Sequence, residues 1–202
     1  MTRIKDLFGP RREQVWRALS EEVHGQYVGS FWKGDRVQAA HGAWTVTLDQ
    51  YTVPAGHVMI PFTRLRAPFV NASGFRFRIY RRTVFSAIGK LLGMQDIEVG
   101  HAAFDEAFII QGNDEAKVRQ LFANAHIREL VAAQKEIEFA VKDDEGFLGP
   151  TFPESADELH FLARGVVKDI EQLKGMYELF AEVLDELCRM GTAYNTDPHV
   201  TL

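Results

Sequence analysis

Residues 62–82 read FTRLRAPFVNASGFRFRIYRR: six arginines and no acid in a chain whose net charge is −5. How this stretch is read decides the fold. In a strand, residues of equal parity share a face. Pairing Asn71 with Phe75 leaves the loop Ala72-Ser73-Gly74, with glycine at the last position, as a type I turn with a G1 bulge prefers. Val70 then opposes Arg76, Pro68 opposes Arg78, Arg66 opposes Tyr80 and Arg64 opposes Arg82. On the other side Phe69 meets Phe77, Ala67 meets Ile79 and Leu65 meets Arg81. One face is apolar and one is basic, and a slip of one residue scatters both sets. The stretch predicts a β-hairpin with Arg64, Arg66, Arg76, Arg78 and Arg82 on one face and Arg81 as the exception.

Around this hairpin the charge is divided. Residues 50–95 carry seven basic side chains and no acid, whereas residues 96–202 have a net charge of −13. Such asymmetry marks either a face for a polyanion or two halves that attract each other. The second is the more ordinary reading.

The elements are short and separated by turn-rich points, as in an α+β domain. Val15, Trp16, Leu19 and Val23 recur at helical spacing after Pro10. Residues 27–32, 43–49 and 57–63 read as strands, with Pro61 placing the third at an edge or bulge. Residues 84–93 fit either a strand or a short helix. Strand signals return near Ile97 and Val99 and at 107–111. Asn113 then suits the cap of a helix, whose pattern slips at Asn124 and predicts a kink or a second short helix. Residues 136–142 alternate with Ile137, Phe139 and Val141 inward, and further strands are expected near 147–152 and 158–167. A long helix follows from Asp169 to Met190, with Gly191 at the C′ position. Its seam of Ile170, Leu173, Tyr177, Phe180, Leu184 and Leu187 predicts packing on the protein's own sheet, with a helix-mediated homodimer as the alternative.

The expected fold class is therefore α+β. An antiparallel sheet carries a short N-terminal helix, a central helix pair and a long C-terminal amphipathic helix. The expected organisation is one domain over 1–191, mostly β in 1–93 and mixed in 94–191, with a flexible tail at 192–202. The single cysteine, Cys188, excludes an intrachain disulfide framework. No apolar run approaches 18 residues and no leader pattern opens the chain, so a soluble, cytoplasmic protein is expected.

The runs FDEAFIIQGNDEAKVRQLFANAHIREL and EIEFAVKDDEGFLGPTF, within residues 94–190, resemble the C-terminal half of the bacterial domain of unknown function DUF3137. That family shows a strand ending in Phe-x-x-x-Phe-hydrophobic, a polar turn with Asp, two short helices, a β-hairpin and a closing helix. Family members often carry Thr-Pro where this chain has Asn124-Ala125, and many have membrane-spanning segments before the domain. The family has no established activity, so the resemblance implies a fold neighbourhood and no catalytic residues.

No residue pattern carries recognisable chemistry. Ser30, Ser73 and Ser86 lack a nucleophile-elbow context, the glycines form no phosphate-binding loop, and Lys90 lacks a glycine frame. Asp143-Asp144-Glu145-Gly146 lacks the ligand alternation of an EF-hand. Cys188 borders the apolar seam, and His57 and His160 lie in apolar strands. The cluster Asp96, Glu98, His101, Asp105 and Glu106 is the best acidic candidate for hard-cation chemistry; a metal-assisted hydrolase or other enzyme built on Asp96, Glu98, His101 and Asp105 is one alternative, and a self-associating structural protein using the heptad seam is another. No cofactor and no metal are expected.

The leading expectation is a non-enzymatic binding domain that presents the arginine face to an acidic protein, an anionic lipid surface or a phosphorylated ligand. Nucleic acid is disfavoured, because Phe75 and Phe77 fall on the face opposite Arg76 and Arg78, whereas single-strand platforms interleave aromatics and cations.

Overall fold

The computed structural model describes residues 11–30, 34–82, 95–143, 152–153, 155–200 and 202. In chain order the elements are α1 (Arg12–Glu22), β1 (Gln26–Val28), β2 (Arg36–His41), β3 (Trp44–Ala55), β4 (Val58–Asn71) and β5 (Phe77–Arg81). There follow β6 (Gln95–Asp96), α2 (Ala102–Ala107), β7 (Phe108–Gly112), α3 (Glu115–Ala123) and α4 (Ala125–Ala133). The chain closes with β8 (Glu138–Lys142), β9 (Ala156–Arg164), α5 (Ile170–Arg189) and β10 (Ala193–Tyr194). The ambiguous segment 84–93 and the strand expected near 147–152 fall outside, or almost wholly outside, the described residues.

The strands form one antiparallel sheet in the order β1-β2-β3-β4-β9-β8-β5-β7-β6, with β10 pairing separately to β4. This is the α+β architecture that the residue pattern predicts. One row of cross-strand neighbours runs Tyr27, Val37, Leu48, Leu65, Phe161, Phe139, Ile79 and Ile110. This row lies on the face that packs against the helices. The adjacent row runs Gln26, Gln38, Thr47, Arg66, His160, Ala140, Arg78, Gln111 and Asp96. Because side chains alternate along every strand, the two rows point to opposite faces of the sheet.

The hairpin expected within 62–82 does not form. β4 has both edges occupied, by β3 on one side and β9 on the other, and β5 lies two strands beyond β9. Backbone hydrogen bonding requires only that each strand find some partner, and β4 makes its hairpin backwards, with β3, through Gly56-His57. Gly56 takes the positive φ of 64° that this two-residue turn requires. Asn71 does approach Phe75, but through its side chain: Nδ2 donates to the Phe75 carbonyl at 2.9 Å. The parity argument survives, because β4 and β5 belong to one sheet. Phe69 and Phe77 are both fully buried in the core.

The helices explain the apolar face. α5 buries Leu173, Met176, Tyr177, Leu179, Phe180, Val183, Leu184 and Leu187 and packs against α1, α3, α4 and β4. The Phe180 ring meets that of Phe139 at 5.6 Å, and the Tyr177 hydroxyl donates to the Val37 carbonyl at 3.0 Å. The heptad seam is thus buried within the chain's own core. Asp169 caps α5 by accepting from the Glu171 and Gln172 amides. The slip at Asn124 is a true break: its side chain accepts from His126 and Ile127 and starts α4. The cap of α3 is Asp114 rather than Asn113, which instead accepts from the Arg76 amide and donates to the Gly74 carbonyl. After Gly191, Ala193 and Tyr194 pair with Asn71 and Val70 as β10.

Candidate functional site

The sheet face opposite the helices is polar, and strand alternation builds it. β4 contributes Arg64 and Arg66, β5 contributes Arg78, β8 contributes Glu138 and Lys142, and β9 contributes Glu158 and His160. Asp49 joins from β3, directly across from Arg64. Arg64 forks onto Asp49 with two hydrogen bonds of 2.8 Å, and Arg66 reaches the same carboxylate at 2.5 Å. The planar guanidinium matches a carboxylate in this bidentate way. Arg78 donates to Glu138 at 2.8 Å, and Lys142 lies 3.9 Å from the same oxygen.

The other predicted arginines lie elsewhere. Arg76 sits just before β5 and pairs with Asp143 at 2.6 Å and Asp157 at 3.4 Å. Arg82 is exposed and donates to the Asp105 carbonyl at 3.1 Å. Arg81, the exception in parity, donates to the Ala132 and Gln134 carbonyls at the end of α4. The structure therefore brings Arg64, Arg66 and Arg78 together and leaves Arg76 and Arg82 at the strand ends. It also buries Arg66 and Arg78.

Glu158 and His160 are the residues that sequence reasoning did not single out as a pair. They stand two apart on β9 and share the polar face. Glu158 lies across from Pro68 and Lys142, and His160 lies across from Arg66 and Ala140. Glu158 is 0% exposed, and neither carboxylate oxygen has a hydrogen-bond partner; nor has His160 Nδ1. Burial pushes the Glu158 carboxyl up to about 7, against the pull of Arg66, Arg64 and Lys142. Burial, reinforced by Lys142, Arg64, Arg66 and Arg78, holds His160 well below the usual histidine range, so its imidazole stays neutral. The signal was present in the alternation of ADELHFLAR, where Glu158, His160 and Leu162 oppose Leu159, Phe161 and Ala163.

The same sheet face carries a cleft of about 420 Å³ lined by Gln38, Thr45, Thr47, Pro68, His199 and Leu202, among others, and by none of the clustered charged residues. It opens where β3 parts from β4, beyond the Thr47–Arg66 pair. Thr47 and Pro68 are the cross-strand neighbours of Arg66 and Glu158. Lys142 is the most exposed member of the cluster, at 33% of its side chain.

The acidic cluster near 96–106 does not converge. Asp105 accepts from the Val99, Gly100 and His101 amides and so anchors the entry to α2. Asp96 accepts from Gln111 at 2.8 Å. Among the described residues no group of three or more His, Cys, Asp or Glu side chains is placed to hold a metal ion. Asp143 is engaged by Arg76, and residues 144–146 of the acidic turn lie outside the described residues. The Cys188 thiol is half-buried, and burial raises its pKa, opposite to what a reactive thiolate needs. Among the described residues no helix is long and apolar enough to cross a membrane.

No protein-family model matches the chain, and no curated protein matches it. Among solved structures, the crystal structure of the mycobacterial trehalose monomycolate transport factor A, TtfA, is similar, with a TM-score of 0.54 at 7% identity. The match covers 94% of this chain and 98% of that chain. At this identity the likeness concerns the fold.

Proposed function

We propose that this chain is a non-enzymatic binding domain that takes an oxyanion, a carboxylate or phosphate group of its partner, on the polar sheet face. Arg64, Arg66 and Arg78 form the seat. The observation that carries the reading is Glu158: a fully buried carboxylate without a hydrogen-bond donor, amid cations, and pushed up to about 7. Such a group serves as a replaceable counter-charge. When it is protonated, the four cations Arg64, Arg66, Arg78 and Lys142 stand with the two carboxylates of Asp49 and Glu138. A buried excess of positive charge favours an incoming anion. The cleft at Thr47 and Pro68 lies beside the seat, one strand neighbour from Arg66 and Glu158.

A role in holding rather than converting a partner is in keeping with the structural neighbour, which is named as a transport factor. Kinship with DUF3137 is part of the same proposal: the pair α3 and α4, the strands β8 and β9 and the closing α5 support it, whereas Phe104 lies in α2 and Phe108 opens β7 instead of ending a strand. The test is calorimetric titration of inorganic sulfate, whose charge is constant between pH 6 and 8. Wild-type protein is expected to bind at pH 6, and Arg78→Gln is expected to bind at least about tenfold more weakly, the loss of one charged hydrogen bond. Equal binding by the two proteins, or no binding by the wild type, rejects the site.

A further inference from the structure

β3 and β4 are 12 and 14 residues long, and their outer neighbours stop early. β2 pairs with β3 only as far as Leu48, and β9 pairs with β4 only from Thr63. Residues 51–62 therefore leave the sheet as a two-stranded ribbon, supported at its base where Gly165 donates to the Pro61 carbonyl. At about 3.3 Å per residue its paired rows and turn project roughly 20 Å.

The register divides the ribbon into two faces. One carries the pairs Tyr51–Phe62, Val53–Ile60 and Ala55–Val58, all apolar. The other carries Gln50–Thr63, Thr52–Pro61 and Pro54–Met59. The apolar face continues from the polar side of the sheet: Asp49 and Arg64, two rows further in, have the same parity, and the Arg64 guanidinium lies 4.9 Å from the centre of the Tyr51 ring. Val58 is 63% exposed, Met59 59% and Tyr51 43%. Residues 50–63 contain no Asp, Glu, Lys or Arg, although a quarter of the chain is charged. An isolated ribbon gains little from its own cross-strand pairs, so exposed apolar surface here points to something outside the chain.

Three features select the occupant. Pro54 and Pro61 each remove a backbone donor, which blunts the ribbon against addition of a strand from another chain. The ribbon bears no cation for nucleic acid. Cations stand instead at its base: Arg164 and Lys168 are exposed and flank Gly165, and neither makes an ion pair among the described residues. Their acidic neighbour Asp169 has its side chain bonded to the Glu171 and Gln172 amides. No acid occurs from residue 50 to residue 95. A largely apolar outer end whose turn carries one polar side chain, His57, a tyrosine lower down and cations at the base match the layers of a bilayer surface: acyl boundary, headgroup level and lipid phosphates.

We propose that the β3–β4 ribbon docks the protein on an anionic lipid bilayer, with Val53, Val58, Met59 and Ile60 at the acyl boundary, Tyr51 at headgroup level and Arg164 and Lys168 against the phosphates. This surface is separate from the oxyanion seat, and either stands without the other. The test is co-flotation of the full chain with phosphatidylcholine vesicles containing or lacking phosphatidylglycerol. Wild-type protein floats with the anionic vesicles. Val58→Glu, at an exposed position that leaves the core intact, lowers the partition about tenfold or more, as expected from losing burial of one apolar side chain. Arg164→Glu with Lys168→Glu lowers it and flattens its salt dependence. Failure of the wild type to float at low salt overturns the proposal. So does flotation of Val58→Glu equal to the wild type, or a Val58-dependent dimer in light scattering without vesicle binding, which would assign the ribbon to a second copy.

Discussion

Glu158 and His160 are neighbours on one face with opposite effects on stability. The Glu158 carboxyl is raised from its ordinary value of 4.5 to about 7. Between those pH values the folded protein binds more protons than the unfolded chain, so this group lowers stability as pH rises from about 4.5 to about 7. At about 1.4 kcal/mol for each tenfold change in proton affinity, the full effect is about 3 kcal/mol above pH 7. Glu158→Gln, which keeps the protonated shape, is expected to stabilise the fold by about that amount at pH 8 and by little at pH 5. Denaturant unfolding at the two pH values checks this, and equal stability changes would refute the buried-acid reading. His160 acts in the other sense: held neutral, it contributes stability that is present above pH 6.5 and lost as the pH falls below it. Neither effect follows from residue type. Alternation placed both side chains on one face of a strand, but only the sheet order brought Arg66 and Lys142 beside them.

The break at Asn124 and the error in the 62–82 hairpin show what local pattern can and cannot specify at the scale of elements. Asn124 caps α4 with its own side chain, a contact within three residues, and is therefore readable from a short window. Asn124→Ala is expected to cost about 1 kcal/mol of unfolding free energy, measurable as a shifted denaturation midpoint with unchanged slope. A loss of less than a few tenths would mean that packing alone starts the helix. Strand pairing is different. The parity of Arg64, Arg66 and Arg78 could be read from sequence, because alternation is local. The identity of the partner could not, because β9 lies some ninety residues from β4 and outcompetes the nearby β5 for the β4 edge. The same limit hid β2, whose RVQAAH carries only two buried side chains, and the length of the β3–β4 ribbon, where the outward apolar pattern resembles an ordinary strand.

For the whole molecule, the charge division has two physical outcomes in one sheet. Arg78 with Glu138, and Arg76 with Asp143 and Asp157, join the basic segment to the acidic half of the chain. Arg64 and Arg66 instead share Asp49 of their own half. The ordinary reading, attraction between halves, thus accounts for part of the arginine face, and the remainder is a buried cluster whose balance turns on Glu158. The antiparallel sheet, the helix pair and the closing helix were legible because they follow from periodicity and caps. The functional reading had to wait for the fold, since Asp49, Glu138, Lys142, Glu158 and His160 are distant in sequence from most of the arginines they meet. The most direct measurement compares sulfate binding by wild type and Glu158→Gln at pH 6 and pH 8. A replaceable counter-charge predicts that wild-type affinity falls about tenfold between pH 6 and pH 8 as Glu158 ionises, while the Gln variant binds equally at both. A Gln variant that binds no sulfate, or that keeps the wild-type pH dependence, would contradict the account.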